Sequence, residues 1–558
     1  MTGDGVAQAT FAATLVDEWV RAGVRHGVLS PGSRSTPLAL ALADDDRLTL
    51  HVHLDERSAA FAALGVGLSS GVPAVLLCTS GTAAANLLPA VVEAHQARVP
   101  VLVCTADRPP ELQGFGAPQT IDQTRLFGSS VRWAAEPGPA DPAAAGTWRS
   151  LAARAVGEAT GSPPGPVHLN LGFRDPLVAH PGPLPEGRPG GRPWHVRTAP
   201  TAPDPATVGD IAGMLAGRRG VIVAGGGAGD DPAAVGGLAG VLGWPVLADP
   251  RSGCRVPAAT TVAAADALLR HPPFAERNRP DIVLRLGAPP ASKVVGEWLR
   301  DSGSAHVVIE RDGAWIDPDR VAARLVAGAP GAWAASLAAG LGSSARADDG
   351  AWLASWATAE LAAQRVLDDH LSGATASDPT VARAVAAALP DGTTLVVSSS
   401  MPVRDLEWYA APRVGLRVLA NRGANGIDGV TSTAVGVASA GGRTALLTGD
   451  LAFLHDTNGL LGLAARGLDL TIVVVDNRGG AIFSFLPQRA SLPEARFEQL
   501  FGTPHDLVLA DLAAVHGLTA ATVHDVSLLG PTISGVAASP GVHVVVVPTD
   551  RSATVAVH

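Results

Sequence analysis

The stretch LLTGDLAFLHDTNGLLGLAARGLDLTIVVVDNRGGAIFSFLPQ, residues 446–488, decides the fold. It opens inside one β-branched run, Thr444 to Thr448, and contains a second, Leu470 to Asp476. A helix-length segment separates the two, the pattern of a βαβ unit with parallel strands. Gly449-Asp450 closes the first run and Asn477 the second. Ligands of a parallel sheet bind beyond the carboxyl ends of its strands, so Asp450 and Asn477 should arrive side by side with a helix N-terminus between them. A carboxylate, an amide oxygen and the carbonyl of Gly479 would offer a hard cation three oxygens and leave the other octahedral positions to a diphosphate and water. The bland alternative is an Asp cap followed by a Gly-rich turn. Placement of both residues at adjacent strand ends favours the cation.

The same alternation extends in both directions. A helical pattern at Phe11 to Ala22 precedes strand-like runs at His26 to Ser30, Leu48 to Leu54, Val72 to Cys78, Val99 to Ala106 and Val167 to Gly172. Arg174 to Ala206 holds nine of the 44 prolines and reads as a linker. A second set follows at Gly220 to Ala224, Pro245 to Ala248, Asp281 to Gly287 and His306 to Glu310. After a polar stretch at Ser343 to Gly350 and a helical pattern at Ala351 to Leu371, a third set lies at Thr393 to Ser398, Arg417 to Ala420, Thr444 to Thr448, Leu470 to Asp476 and His543 to Val547. We read an α/β protein of three doubly wound parallel-sheet domains, at 1–185, 200–345 and 350–558, with every sheet covered on both faces.

Composition excludes several functions. The 558 residues carry 41 basic and 51 acidic side chains, a net charge of −10, with no basic block, so neither nucleic acid nor an anionic membrane surface is an expected partner. Met1 to Thr10 has no cationic segment, and Cys78, Cys104 and Cys254 have no paired spacing, which reads as a cytoplasmic protein with reduced thiols and no zinc site. The uncharged stretch Ser58 to Val92 is interrupted by Gly65, Gly67, Gly71 and Pro73, so it reads as a buried helix, strand and helix instead of a membrane span. Lys293 is the single lysine beside forty arginines, and four of the seven asparagines (Asn421, Asn425, Asn458, Asn477) fall in the third set. Residue types that are rare elsewhere in a chain persist where chemistry needs them, although a lone lysine is most often a solvated one. The VIVAGGGAG turn at 221–229 follows a strand, but Gly225, Gly227 and Asp230 break dinucleotide-loop spacing, so no nucleotide is expected there. His51 and His53 share one strand face, where packing or hydrogen bonding is a better reading than a metal.

Gly-Asp at one strand end and Asn at the next resembles the fingerprint of thiamin-diphosphate-dependent enzymes. LSPGSRSTPLALAL (29–42), LDERSAAFAALGVG (54–67), TSGTAAANLLPAVVEA (79–94), TADRPPEL (105–112), NRGANGIDG (421–429), TGDLAFLHD (448–456) and IFSFLPQ (482–488) narrow the resemblance to the menaquinone-pathway synthases of that family. Leu451, where many thiamin enzymes carry a small residue, matches this subgroup. The resemblance implies a transferase that decarboxylates 2-oxoglutarate on thiamin diphosphate, with Mg²⁺ or Mn²⁺, and adds the succinyl carbanion to isochorismate. It implies Glu56 as the catalytic carboxyl against the aminopyrimidine ring, in a dry site that raises its pKa. Asp450, Asn477 and Gly479 become the metal ligands, with Ser400, Ile427 and Leu451 at the cofactor, Ile427 bending it. Ser33, Arg34, Arg108, Gln119, Lys293, Ser400, Arg404 and Arg422 would bind the dianionic substrates, several by bidentate Arg–carboxylate pairing, with Ile482 and Phe483 as an apolar wall. Glutamate and diphosphate sites in different domains imply interfacial active sites in a homodimer or homotetramer. The alternatives are an acetolactate-synthase-like carboligase with FAD in the middle domain, an aldolase using Lys293 as a Schiff base, and a cofactor-free binding protein.

Overall fold

The computed structural model describes residues 3–197, 202–342, 345–372 and 376–558. The 198–201 part of the linker, which includes the expected boundary at 200, and Ser343 and Ser344 of the polar stretch lie outside the described residues. Three six-stranded sheets follow one another along the chain. The first contains β1 (His26–Leu29), β2 (Thr49–Val52), β3 (Ala74–Cys78), β4 (Val101–Asp107), β5 (Trp133–Ala135) and β6 (Pro166–Gly172). The second contains β7 (Gly220–Ala224), β8 (Val246–Ala248), β9 (Thr261–Val262), β10 (Ile282–Leu286), β11 (Ala305–Glu310) and β12 (Ala322–Ala327). The third contains β13 (Thr393–Val397), β14 (Leu416–Leu419), β15 (Thr444–Gly449), β16 (Leu470–Asp476), β17 (Thr519–Thr522) and β18 (Val542–Pro548). Every neighbouring pair is parallel.

The first sheet runs β2-β1-β3-β4-β6-β5 and the third β14-β13-β15-β16-β18-β17, the same order. The central sheet runs β12-β11-β10-β7-β8-β9, the order of dinucleotide-binding folds, with the Gly225–Gly229 turn after its first strand. Four strands escape the periodicity of the sequence: β5, β9, β12 and β17. All four are sheet edges, so they lack the continuous apolar run that burial on both faces imposes on β3, β4 or β16. The helix Ala351–Leu371 forms where the pattern predicts it, and its Trp352 and Trp356 enter the core of the central sheet. Among the described residues no helix is long and apolar enough to cross a membrane.

Separate apolar layers cover the two faces of the first sheet. Leu15, Trp19 and Leu38 pack with Val75 and Leu102 on one side, and Phe61 and Leu64 with Leu76 and Val103 on the other. The first and third units meet through helices Glu56–Ser70 and Val430–Ser439. Small residues let their backbones touch: a Cβ on Gly65 would overlap the Thr433 carbonyl, and one on Gly436 the Ala62 carbonyl. A second tie is a set of charge-assisted hydrogen bonds. The buried Glu93 carboxylate accepts N–H bonds from Gly423 (2.8 Å), Ala424 (2.5 Å) and Asn425 (2.8 Å), clamping the loop that carries Arg422 and Ile427.

Two stability predictions follow from these contacts. Gly436→Val forces a side chain into a neighbouring backbone and should destabilise by about 1–3 kcal/mol or more. Gly213→Ala, in the open on helix Pro205–Leu215, should instead stabilise by about 0.5–1 kcal/mol. Opposite shifts of the thermal midpoint check the pair. Glu93→Gln leaves three N–H donors facing a neutral amide and should loosen the loop by about 1.5–3 kcal/mol. Faster amide exchange at Gly423, Ala424 and Asn425 is the readout, and unchanged protection would refute the clamp.

Candidate active site

β15 and β16 are neighbours, Gly449 beside Val475, so Asp450 and Asn477 leave adjacent strand ends. Asp450 starts the short helix Asp450–His455 and is 2% exposed. Its Oδ1 accepts the Leu451 N–H (2.6 Å) and its Oδ2 the Gly479 N–H (2.8 Å). Burial pushes its pKa up to about 6; the two N–H bonds oppose the rise and nearby Asp476 adds to it. Gly479 has φ +144, and a Cβ there would overlap the Gly502 carbonyl, so glycine is required for the turn to close. Asn477 donates its Nδ2 to Asp378 Oδ2 at 3.0 Å, while its Oδ1 is buried without a partner. A buried acceptor left open beside a carboxylate that desolvation raises is a donor set suited to a cation.

Two neighbours of this set were not legible in the sequence. His505 Nε2 lies 3.4 Å from Asp450 Oδ2, and Asp450, Asp476 and His505 bring ligand atoms within 4.8 Å of one another. Asp378, at the start of helix Asp378–Ala388, is the other. Both come from loops or helix ends distant in the chain, and neither sits in a motif.

The other anticipated residues form two groups. Ser33, Arg34, Arg108 and Gln119 lie on loops beyond the carboxyl ends of the first sheet's strands. Arg34 is buried, donates to the Phe173 carbonyl (2.9 Å) and stands 3.6 Å from Asp175. Arg108 donates to the Pro118 carbonyl (3.1 Å) and feels the charge of Arg34. Gln119 donates to the Ser80 carbonyl (3.2 Å). The second group belongs to the third sheet. Ser400 precedes helix Met401–Tyr409, and its carbonyl accepts from Arg404. Arg422 lies within electrostatic reach of Arg404, Arg251, Asp249 and Glu407. Ile427 is half-buried in the clamped loop; Leu451, Ile482 and Phe483 are half-buried too, with Phe483 5.5 Å from Phe501. Gln119 (φ +56), Ser400 (φ +74) and Arg478 (φ +58) hold positive φ, as do Arg98, Arg125, Arg320 and Thr503 among the described non-glycine residues.

Lys293 differs from its expected setting. It begins helix Lys293–Asp301 instead of lying in a loop, its side chain is 85% exposed, and Glu297 lies 3.6 Å away. Glu56 is also only half-buried in the single chain. It is the first residue of its helix, with Asp55 as the cap, accepting from Arg57 N (2.8 Å) and Asn458 Nδ2 (2.6 Å). Among the described residues no hydrogen bond or ion pair links Glu56 or the first-sheet group to Asp450, Asn477 or Gly479. A cleft of about 1470 Å³ opens between the central sheet and both outer units, lined in part by Arg98, Arg251, Trp315 and Arg422, but not by the Asp450 set.

Comparisons with known proteins assign the family. The N-terminal TPP binding domain of thiamine pyrophosphate enzymes matches residues 9–126, their middle domain 192–397 and their C-terminal TPP binding domain 410–547. The 2-succinyl-5-enolpyruvyl-6-hydroxy-3-cyclohexene-1-carboxylate synthase of Thermobifida fusca is 45% identical across 98% of this chain and 96% of its own. The Myxococcus xanthus enzyme of the same name is 43% identical across 100% and 97%. In structure, the chain is similar to a thiamine diphosphate-dependent 4-hydroxybenzoylformate decarboxylase of Rhodococcus jostii, with a TM-score of 0.74 at 16% identity over 97% of this chain and 99% of the other. That likeness carries the fold; the sequence identity carries the assignment, and the chain belongs to the thiamine pyrophosphate enzymes, in the family of 2-succinyl-5-enolpyruvyl-6-hydroxy-3-cyclohexene-1-carboxylate synthases.

Proposed function

We infer that the protein carries out its family's reaction: it decarboxylates 2-oxoglutarate and joins the succinyl unit to isochorismate by conjugate addition, in menaquinone biosynthesis. The observation that carries this reading is the pair of adjacent strand ends, one followed by the buried Asp450 carboxylate and the other by Asn477, whose buried amide oxygen has no partner. Asp450, Asn477 Oδ1 and the Gly479 carbonyl would hold Mg²⁺ or Mn²⁺, and through it the diphosphate of thiamin diphosphate. When bound, that cofactor would supply a nucleophilic carbon for the keto group of 2-oxoglutarate and a cationic ring that takes up the electron pair left behind as carbon dioxide departs.

The chain's own groups do the rest. Glu56 would face the aminopyrimidine nitrogen and hold a proton there, Ile427 would press against the cofactor, and Ser400 and Leu451 would border it. Ser33, Arg34, Arg108 and Gln119 on one side, with Lys293, Arg404 and Arg422 on the other, orient the substrate carboxylates, and Ile482 and Phe483 exclude water. Among the described residues no hydrogen bond or ion pair joins the first-sheet group or Glu56 to the Asp450 set, and Leu54, two residues before Glu56, is exposed, which supports a site completed between two copies, in a homodimer or homotetramer. We place the pyrimidine domain at 1–185, the central domain at 200–345 and the diphosphate domain at 350–558, in a protein of the cytoplasm.

Incubation with 2-oxoglutarate, isochorismate, thiamin diphosphate and Mg²⁺ should consume isochorismate, read from its absorbance; no loss would reject the activity. By calorimetry, Asp450→Ala should abolish cofactor binding, and Asn477→Ala should weaken it in a way that excess Mg²⁺ partly restores. Wild-type affinity in Asp450→Ala would refute the cation site. Glu56→Gln should lower turnover about 10²- to 10⁴-fold while cofactor still binds. Undiminished proton exchange at the thiazolium carbon in that variant would remove Glu56 from the role.

A further inference from the structure

We propose that Asp378 is a positioning residue for the cation site, fixing which end of the Asn477 amide faces the ion. The proposal rests on the reading of Asp450 and Asn477 as ligands. An asparagine amide has the same shape in both orientations, yet one presents an oxygen and the other two N–H donors, and only the second orientation repels a cation. What separates them is the partner on the far side. Asp378 Oδ2 accepts Asn477 Nδ2 at 3.0 Å, which leaves Oδ1 as the buried, unpartnered atom.

Asp378 is itself held fast. Its Oδ1 accepts the hydroxyls of Thr549 (2.7 Å) and Thr554 (3.1 Å), and its backbone N–H donates to Thr554 Oγ1 (3.2 Å). It is 3% exposed, and Thr554 is fully buried on helix Arg551–Val557. With both hydroxyls donating to Oδ1, Oδ2 is left to receive the amide N–H. The last strand and last helix of the chain thus hold a carboxylate whose contact at the site is the back of the Asn477 amide.

The test is a Mn²⁺ titration in the presence of thiamin diphosphate, followed by the electron-paramagnetic-resonance signal of free Mn²⁺, alongside the melting temperature. Asp378→Asn can pair with the amide in either orientation and should weaken Mn²⁺ binding about tenfold to a hundredfold, the usual effect of losing a partner behind a metal ligand. In Asp378→Asn/Asn477→Asp the new amide donates to the new carboxylate, so affinity should recover most of that loss. Thr549→Val removes one hydroxyl donor from Asp378 and leaves the backbone bond of Thr549 to the Asp476 carbonyl; it should give a smaller loss of the same sign and decides the matter if Asp378→Asn does not fold. Wild-type Mn²⁺ affinity in Asp378→Asn or, failing that variant, in Thr549→Val, with Asp450→Ala unable to bind, would overturn the proposal while leaving the cation site standing. A double variant no better than Asp378→Asn would overturn it as well. Wild-type affinity in Asp450→Ala would instead remove the reading beneath it.

Discussion

The burial of the Asp450 carboxylate between two parallel strand ends is the constraint on which the rest of the site depends. Desolvation raises its pKa, and two backbone N–H donors offset that rise only in part. A carboxylate in that position is uncomfortable without a positive partner, and the features around it follow from the need to admit one. Gly479 has no side chain, so the next loop can fold back over the carboxylate. Asn477 keeps one oxygen open. Asp378 stands behind it, held by hydroxyls from the far end of the chain.

Around this point the two outer sheets play matched roles. They share one strand order, and they meet where helices Glu56–Ser70 and Val430–Ser439 cross at glycines. That crossing and the Glu93 clamp fix the third unit's Arg422 loop against the first. They also set Glu56 beside the far end of helix Asp450–His455, where Arg57 donates to the His455 carbonyl.

The legibility of the fold tracks the length and regularity of each hydrophobic pattern. Strands covered on both faces, such as β3, β4 and β16, are buried, predominantly apolar runs of five to seven residues. β5, β9, β12 and β17 lie at edges, are short or half-exposed, and carry no such run. The site behaves in the same way. Asp450, Asn477 and Glu56 sit in contiguous motifs at strand or helix boundaries, so local pattern exposes them. His505 and Asp378 act through space on residues far along the chain, and no periodicity or spacing marks them. Lys293 is a different case: its rarity made it conspicuous, and in the single chain its side chain stands in solvent beside Glu297.

The sequence by itself determined the three α/β units, the parallel direction of their strands and the arrival of Asp450 and Asn477 at neighbouring strand ends, because hydrophobic period and strand-to-helix spacing are local properties that physics converts directly into topology. Only the tertiary structure decided which atoms of those residues are available. The open Oδ1 of Asn477, the hydroxyl cage on Asp378 and the close approach of His505 depend on hydrogen bonds between segments dozens to more than a hundred residues apart. Such bonds are chosen by packing, and a linear pattern does not record them.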